Sequence, residues 1–182
     1  MTKRALTLMI VLPALVWAAW ATGADEKAHK LSTVSLRKMA DSLHAVIAAD
    51  QRTYVAEVLQ RRAEAGDAPG HVAMLRQAAQ SIQRHGAEFS YTLRSLQPIE
   101  SANGPQTEVE QTGLEFVATH AGENFYTEEE LGGRSYFTAI YAERATLTSC
   151  VDCHNAHPRS PRRDLKAGDV MGAIVVRVPL EF

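Results

Sequence analysis

The sequence lacks several features that would assign it to a common class of proteins. It has two cysteines in 182 residues, a formal net charge of −2, and no basic stripe interleaved with aromatic side chains. We therefore do not expect it to bind nucleic acid. No second hydrophobic span follows the N-terminal one, and no kinase, cyclase or other output domain is present. We expect a stand-alone domain.

The N-terminal region has the layout of a secretory signal peptide. Two basic residues precede the apolar run ALTLMIVLPALVWAAW (5–20), and small residues follow it. An A-x-A cleavage site ends at Ala21 and a second ends at Ala24. An uncleaved anchor helix is the alternative, but the run is short for a membrane span of about 20 residues. We predict a signal peptide at residues 1–24 and a periplasmic protein, which touches a membrane only through this segment if it stays uncleaved.

One domain, residues 34–182, is expected after a linker at residues 25–33, which is charged and aperiodic. Apolar residues at three-, four- and seven-residue steps predict one long helix over residues 34–64. A second helical stretch, HVAMLRQAAQSIQRH, stops at Gly86, and a third covers residues 106–120.

Strand patterns follow these helices. EFSYTLRSL (88–96) alternates and is aromatic, and LGG between NFYTEEE and RSYFTAIYAE predicts a β-hairpin. DVMGAIVVRVPL predicts a last strand, whereas TLTSCVDCHNAHPRSPRRD is expected to be an irregular loop. Helices followed by a small antiparallel sheet predict an α+β fold.

The two cysteines, Cys150 and Cys153, lie three residues apart, and His154 follows them. A disulfide between them would close a very small loop and stabilise little by chain entropy. A zinc site needs about four ligands. Here Cys150, Cys153, His154 and His157 would have to supply all four from one short segment, TSCVDCHNAHP, which leaves little freedom to form a tetrahedron. The sequence C-x-x-C-H is the attachment sequence of c-type haem. Its two thiols reach two vinyl groups, and the imidazole of His154 lies under the iron as the proximal ligand. We predict one covalent haem c.

The segment that begins at this motif, CVDCHNAHPRSPRRDLKAGDVMGAIVVRVPL, resembles the closing segment of the Tll0287-like haem domain family. The resemblance extends to FYTEEELGGRSYFTAIYAERA, EFSYTLRSLQPI and HAVIAADQRTYVAEVLQRR. It implies an exported PAS-like domain in which long N-terminal helices pack on a small antiparallel sheet, with haem c between them. Relatives are sensor modules of membrane signalling proteins and also stand-alone proteins. In at least one relative a cysteine is the second axial ligand, but this chain has no third cysteine.

The second axial ligand is therefore sought among histidines and methionines. His44 falls at the edge of the apolar stripe of the first predicted helix, in the segment that resembles the family, and we predict that it ligates the iron. An ordinary boundary histidine and an open sixth position are the alternatives. His157 is expected to bond a propionate or its own loop, and Met74 and Met171 are expected to pack in the core.

The arginines after the motif are candidates for binding the haem propionates. Arg159 and Arg163 carry guanidinium groups that match carboxylates in charge and geometry. The neighbouring Arg162 shares this prediction. A solvated basic loop is the other interpretation.

These features favour redox sensing or electron transfer by a non-enzymatic haem protein. The alternatives are a gas-binding sensor with an open or displaceable sixth ligand, and a haem peroxidase, which would need a distal acid–base pair. The expected partners are a redox protein or a membrane signalling protein, and a homodimer is left open.

Overall fold

A computed structural model describes residues 12–59 and 70–180. The chain divides into two units, residues 1–36 and residues 37–182. In the first unit the described chain is helical from Leu12 onward and belongs to helix α1, Leu12–Thr53. Within the described residues, no helix combines the length and apolar character that a membrane crossing requires.

Residues 25–33, predicted as a charged linker, belong to helix α1. The segment DEKAHKLST contains Glu, Lys, Ala and Leu and no Gly or Pro, and these residues favour a helix even where no apolar stripe marks one. Of the predicted signal peptide, residues 1–11 lie outside the described residues. The predicted first helix is confirmed to Thr53, and a π-helical turn continues it over Tyr54–Leu59.

The second unit continues from α1 with short helices and a sheet. Its remaining elements are helix α2 (His71–Arg84), strand β1 (Ser90–Arg94), a 3-10 turn (Ser101–Asn103), helix α3 (Glu108–Thr119), strands β2 (Phe125–Leu131) and β3 (Arg134–Arg144), helix α4 (Thr148–Ala156) and strand β4 (Val170–Pro179). This order confirms the predicted α+β class. Helix α4 takes the place of the expected loop and carries Cys150, Cys153 and His154.

Local signals explain most of these boundaries. Helix α3 begins after Thr107, whose side chain accepts a hydrogen bond from the backbone N–H of Glu110. Helix α2 ends before Gly86, which has a φ of +85°. The β2–β3 turn holds Gly132 and Gly133 at φ values of +59° and +78°, as the hairpin prediction requires.

The sheet is antiparallel throughout, in the order β1-β4-β3-β2. Strand β4 lies in the middle, and its side chains from Gly172 to Pro179 are all buried. A central strand that is covered on both faces has apolar residues at consecutive positions, because both faces are buried. The run AIVV (173–176) in β4 has this pattern.

Helix α3 covers one face of the sheet. Leu114 and Val117 of α3 pack there on Ile140 of β3 and Val175 of β4, and all four are at most 2% exposed. Gly113 allows the close approach, because a Cβ atom at this position would lie 2.2 Å from Cδ1 of Ile140.

Charged groups are buried on the same face, beyond this apolar cluster. Glu110 is 1% exposed and pairs with Arg177 at 2.9 Å and with Arg94 at 3.0 Å. Arg177 also pairs with Glu129 at 2.7 Å, and Glu129 accepts a hydrogen bond from Thr138. The network joins α3 to strands β1, β2, β3 and β4, and each buried charge in it has a partner of opposite sign.

Helix α1 contacts the opposite face of the sheet. Asp41 accepts hydrogen bonds from the hydroxyls of Tyr126 (2.7 Å) and Tyr141 (2.8 Å). Arg37 lies over the Tyr126 ring at 4.1 Å. One carboxylate thus ties this helix to β2 and β3.

Candidate functional site

The two cysteines and the histidine that follows them lie on helix α4. Backbone bonds frame this helix: the N–H of Cys150 donates to Leu147, and the N–H of His157 donates to Cys153. Both thiols are free, with Cys150 half-buried and Cys153 exposed. Residues three and four apart on a helix lie on one side of it, so Cys150, Cys153 and His154 share one side of α4. The prediction of an irregular loop here was wrong.

The loop that follows α4 is fixed to this helix by Asn155. Its side-chain NH2 donates to the carbonyl of Leu165, and its oxygen accepts from the N–H of Leu165, both at 3.0 Å. Leu165 itself is 8% exposed. The amide therefore replaces a backbone pair and holds the motif helix against a buried point of the loop.

His71, the first residue of α2, lies next to His154. The two ring centroids are 6.1 Å apart, and the ring planes are tilted by 57°. The side-chain nitrogen of Gln51, on α1, lies 3.3 Å from Nδ1 of His71. Three elements that are far apart in sequence meet here.

Burial favours the neutral form of both imidazoles. Burial, together with a smaller effect of the neighbouring His154, lowers the pKa of His71 to about 4. Burial also lowers the pKa of His154 below its ordinary value, and His157 adds to this effect. Neutral imidazole is the form that binds metals, because a ring nitrogen then offers its lone pair.

A protein-family model matches most of the chain: the Tll0287-like model covers residues 26–179. The chain belongs to the Tll0287-like family. The resemblance predicted from the motif is therefore confirmed. Among solved structures, the chain is similar to the crystal structure of the cyanobacterial heme-protein Tll0287, at 18% identity and a TM-score of 0.44, over 85% of this chain and 96% of that one. No curated protein matches it.

In this Tll0287-like chain, His44 lies on the face of α1 that contacts the sheet. Its ring stacks on Tyr141, with centroids 4.0 Å apart and planes 5° from parallel. Its Nε2 is buried and lies 3.5 Å from an oxygen of Glu143, too far for a hydrogen bond. Burial and the hydrogen bond to Asp41 raise the pKa of Tyr141. That His44 ligates a metal stays a prediction.

The arginines of the Tll0287-like chain are held by neighbours. Arg159 forms a two-pronged ion pair with Glu100 on the surface. Arg163 donates to the carbonyl of Pro158 at 3.0 Å. Their contact with propionates stays a prediction.

Arg162 also has partners, since it bridges Asp164 and Asp169 at 2.9 Å each. The guanidinium hydrogen bond holds the pKa of Asp164 below its usual range. This arginine therefore links two carboxylates of the loop before β4.

Sequence reasoning missed His71 and Gln51. His71 follows a glycine at the start of a helix, where an exposed residue is common, and no periodicity marks it. Among the described residues, no cluster of three or more His, Cys, Asp or Glu side chains has the arrangement of a metal-ion site.

Proposed function

We propose that this protein is an exported monohaem c protein that acts in redox sensing or electron transfer. The observation that carries the proposal is the placement of Cys150, Cys153 and His154 on one side of helix α4. The family resemblance of the sequence implies a haem c, and the N-terminal signal pattern supports a periplasmic location. A redox protein or a membrane signalling protein is the proposed partner.

The residues present fit a covalently bound haem. Both thiols are free and reachable, as thioether formation requires. The imidazole of His154 is half-buried and favoured in its neutral form, so it would be able to bind the haem iron. The haem would supply a one-electron carrier whose potential depends on its axial ligands and their hydrogen bonds.

The chain's own contribution is to hold this group in one place. Two thioethers on one helical turn would prevent its release. The tie between Asn155 and Leu165 keeps that turn fixed to the fold. A rigid site changes little in geometry between oxidation states, which suits electron transfer.

A potentiometric titration of the protein, purified from cells that mature c-type cytochromes, tests the redox role. We expect one reversible one-electron transition in the visible spectrum, and a reduced spectrum that carbon monoxide leaves unchanged. Rapid formation of a carbon monoxide complex would instead support gas binding. Turnover of peroxide would support an enzyme. A double variant, Cys150→Ala with Cys153→Ala, serves as the unloaded control.

A further inference from the structure

His71 and His154, which lie on different helices, bring two imidazole rings close together. A metal-bound imidazole nitrogen is about 2 Å from the metal and about 1 Å from its own ring centroid, so two imidazoles on opposite sides of one metal have centroids on the order of 6 Å apart. The observed separation is 6.1 Å. The pair therefore has the spacing of two ligands that share one ion.

Gln51 fixes which nitrogen of His71 can take part. Its amide lies 3.3 Å from Nδ1, so the other ring nitrogen, Nε2, is the one available for a metal. An imidazole bound through Nε2 carries a proton on Nδ1, and ligating histidines ordinarily donate this proton to a neighbouring acceptor.

The unpaired oxygen of Gln51 is a second and independent observation. Gln51 is 9% exposed, and its Oε1 is buried with no hydrogen-bond donor among the described residues. A half-turn of the amide would bring Oε1 to Nδ1–H of His71 and give this buried acceptor a donor, while the NH2 group would take the former place of Oε1. The protonation state that metal ligation requires is thus one that Gln51 can accept a hydrogen bond from.

We propose that His71 is the second axial ligand of the haem iron, opposite His154, and that Gln51 positions it by accepting the Nδ1 proton. This inference rests on the proposed function, since it needs the haem. An iron ligated on both sides by histidine has no open position, which favours electron transfer or redox sensing over gas binding.

The visible and electron paramagnetic resonance spectra of haem-loaded variants test this proposal. Wild type should be low-spin and inert to carbon monoxide. His71→Ala should turn the ferric iron high-spin and the ferrous iron reactive to carbon monoxide, and added imidazole should restore the low-spin spectrum. His71→Met should stay low-spin with a raised midpoint potential. Gln51→Ala should keep the low-spin spectrum and shift the potential upward, because the ligand loses its hydrogen-bond acceptor.

Two other histidines are the matched controls. His85→Ala, at the exposed end of the same helix, should leave all spectra unchanged. A low-spin, inert His71→Ala protein would overturn the inference, as would loss of the low-spin spectrum in His44→Ala but not in His71→Ala. If His71→Ala does not load haem, the His71→Met variant decides. A midpoint potential equal to that of wild type would then overturn the inference.

Intact mass separates failure of this inference from failure of the proposed function. If haem is attached to both wild type and His71→Ala and their low-spin spectra are identical, His71 is not the ligand, and the proposed function still stands. Wild type without attached haem contradicts the proposed function and this inference together.

Discussion

At the scale of single residues, Asn155 connects the motif helix to the rest of the fold. It makes two hydrogen bonds of 3.0 Å to the backbone of Leu165, ten positions away. A polar side chain beside a haem motif could equally have faced solvent or a propionate. Here its two hydrogen bonds attach the motif helix to the loop at Leu165.

We expect Asn155→Ala to lower the free energy of unfolding by about 1–3 kcal/mol, because two part-buried backbone groups lose their partners. Urea unfolding of the full-length protein measures this. The control is Asn124→Ala, which removes one exposed bond to Tyr126 and should change stability by less than about 0.5 kcal/mol. Equal effects of the two substitutions would contradict the framing role of Asn155.

The motif can be recognised in the sequence, whereas the proximity of His71 to His154 cannot. Cys150, Cys153 and His154 are recognisable because their spacing is itself the chemical requirement. His71 approaches His154 only through the packing of two helices far apart in the chain. His44 satisfied a local criterion, the edge of an apolar stripe, and the structure stacks it on Tyr141.

At the scale of elements, the close approach of helix α3 to the sheet depends on Gly113, which has no side chain. Gly113 faces β2 and β3, where a Cβ atom would lie 2.2 Å from Ile140 and 2.9 Å from Phe125. Glycine inside a helix costs up to about 1 kcal/mol relative to alanine. The close packing of α3 on the sheet offsets this cost.

Gly113→Ala should therefore destabilise the protein by about 1–3 kcal/mol, although alanine is the better helix former. Thr112→Ala, at the exposed neighbouring position, is the control and should be neutral or slightly stabilising. Thermal and urea unfolding measure both variants. A more stable Gly113→Ala protein would show that α3 does not lie this close to Ile140.

Most elements follow from local patterns, and helix α4 is the main exception. Helices α2 and α3 and the β2–β3 hairpin match their periodicity and turn signals. Helix α4 was missed because TSCVDCHNA is rich in weak helix formers, with Val, Thr, Asp and Asn. Contacts distant in sequence, such as that between Asn155 and Leu165, define its surroundings.

At the scale of the whole molecule, the candidate site is assembled from three helices. Helix α1 supplies Gln51, α2 supplies His71, and α4 supplies His154. The sheet positions them indirectly, since Asp41 ties α1 to two of its strands. Such an arrangement depends on the complete fold, which explains why the motif is visible in the sequence and the proposed second ligand is not.

The most direct test of this account is the intact mass of the protein from cells that mature c-type cytochromes. The account predicts the polypeptide plus one haem, with colour retained after acid–acetone extraction. The variant with both Cys150→Ala and Cys153→Ala should lose the added mass. A wild-type mass equal to that of the bare polypeptide, with any colour extracted, would contradict the central claim.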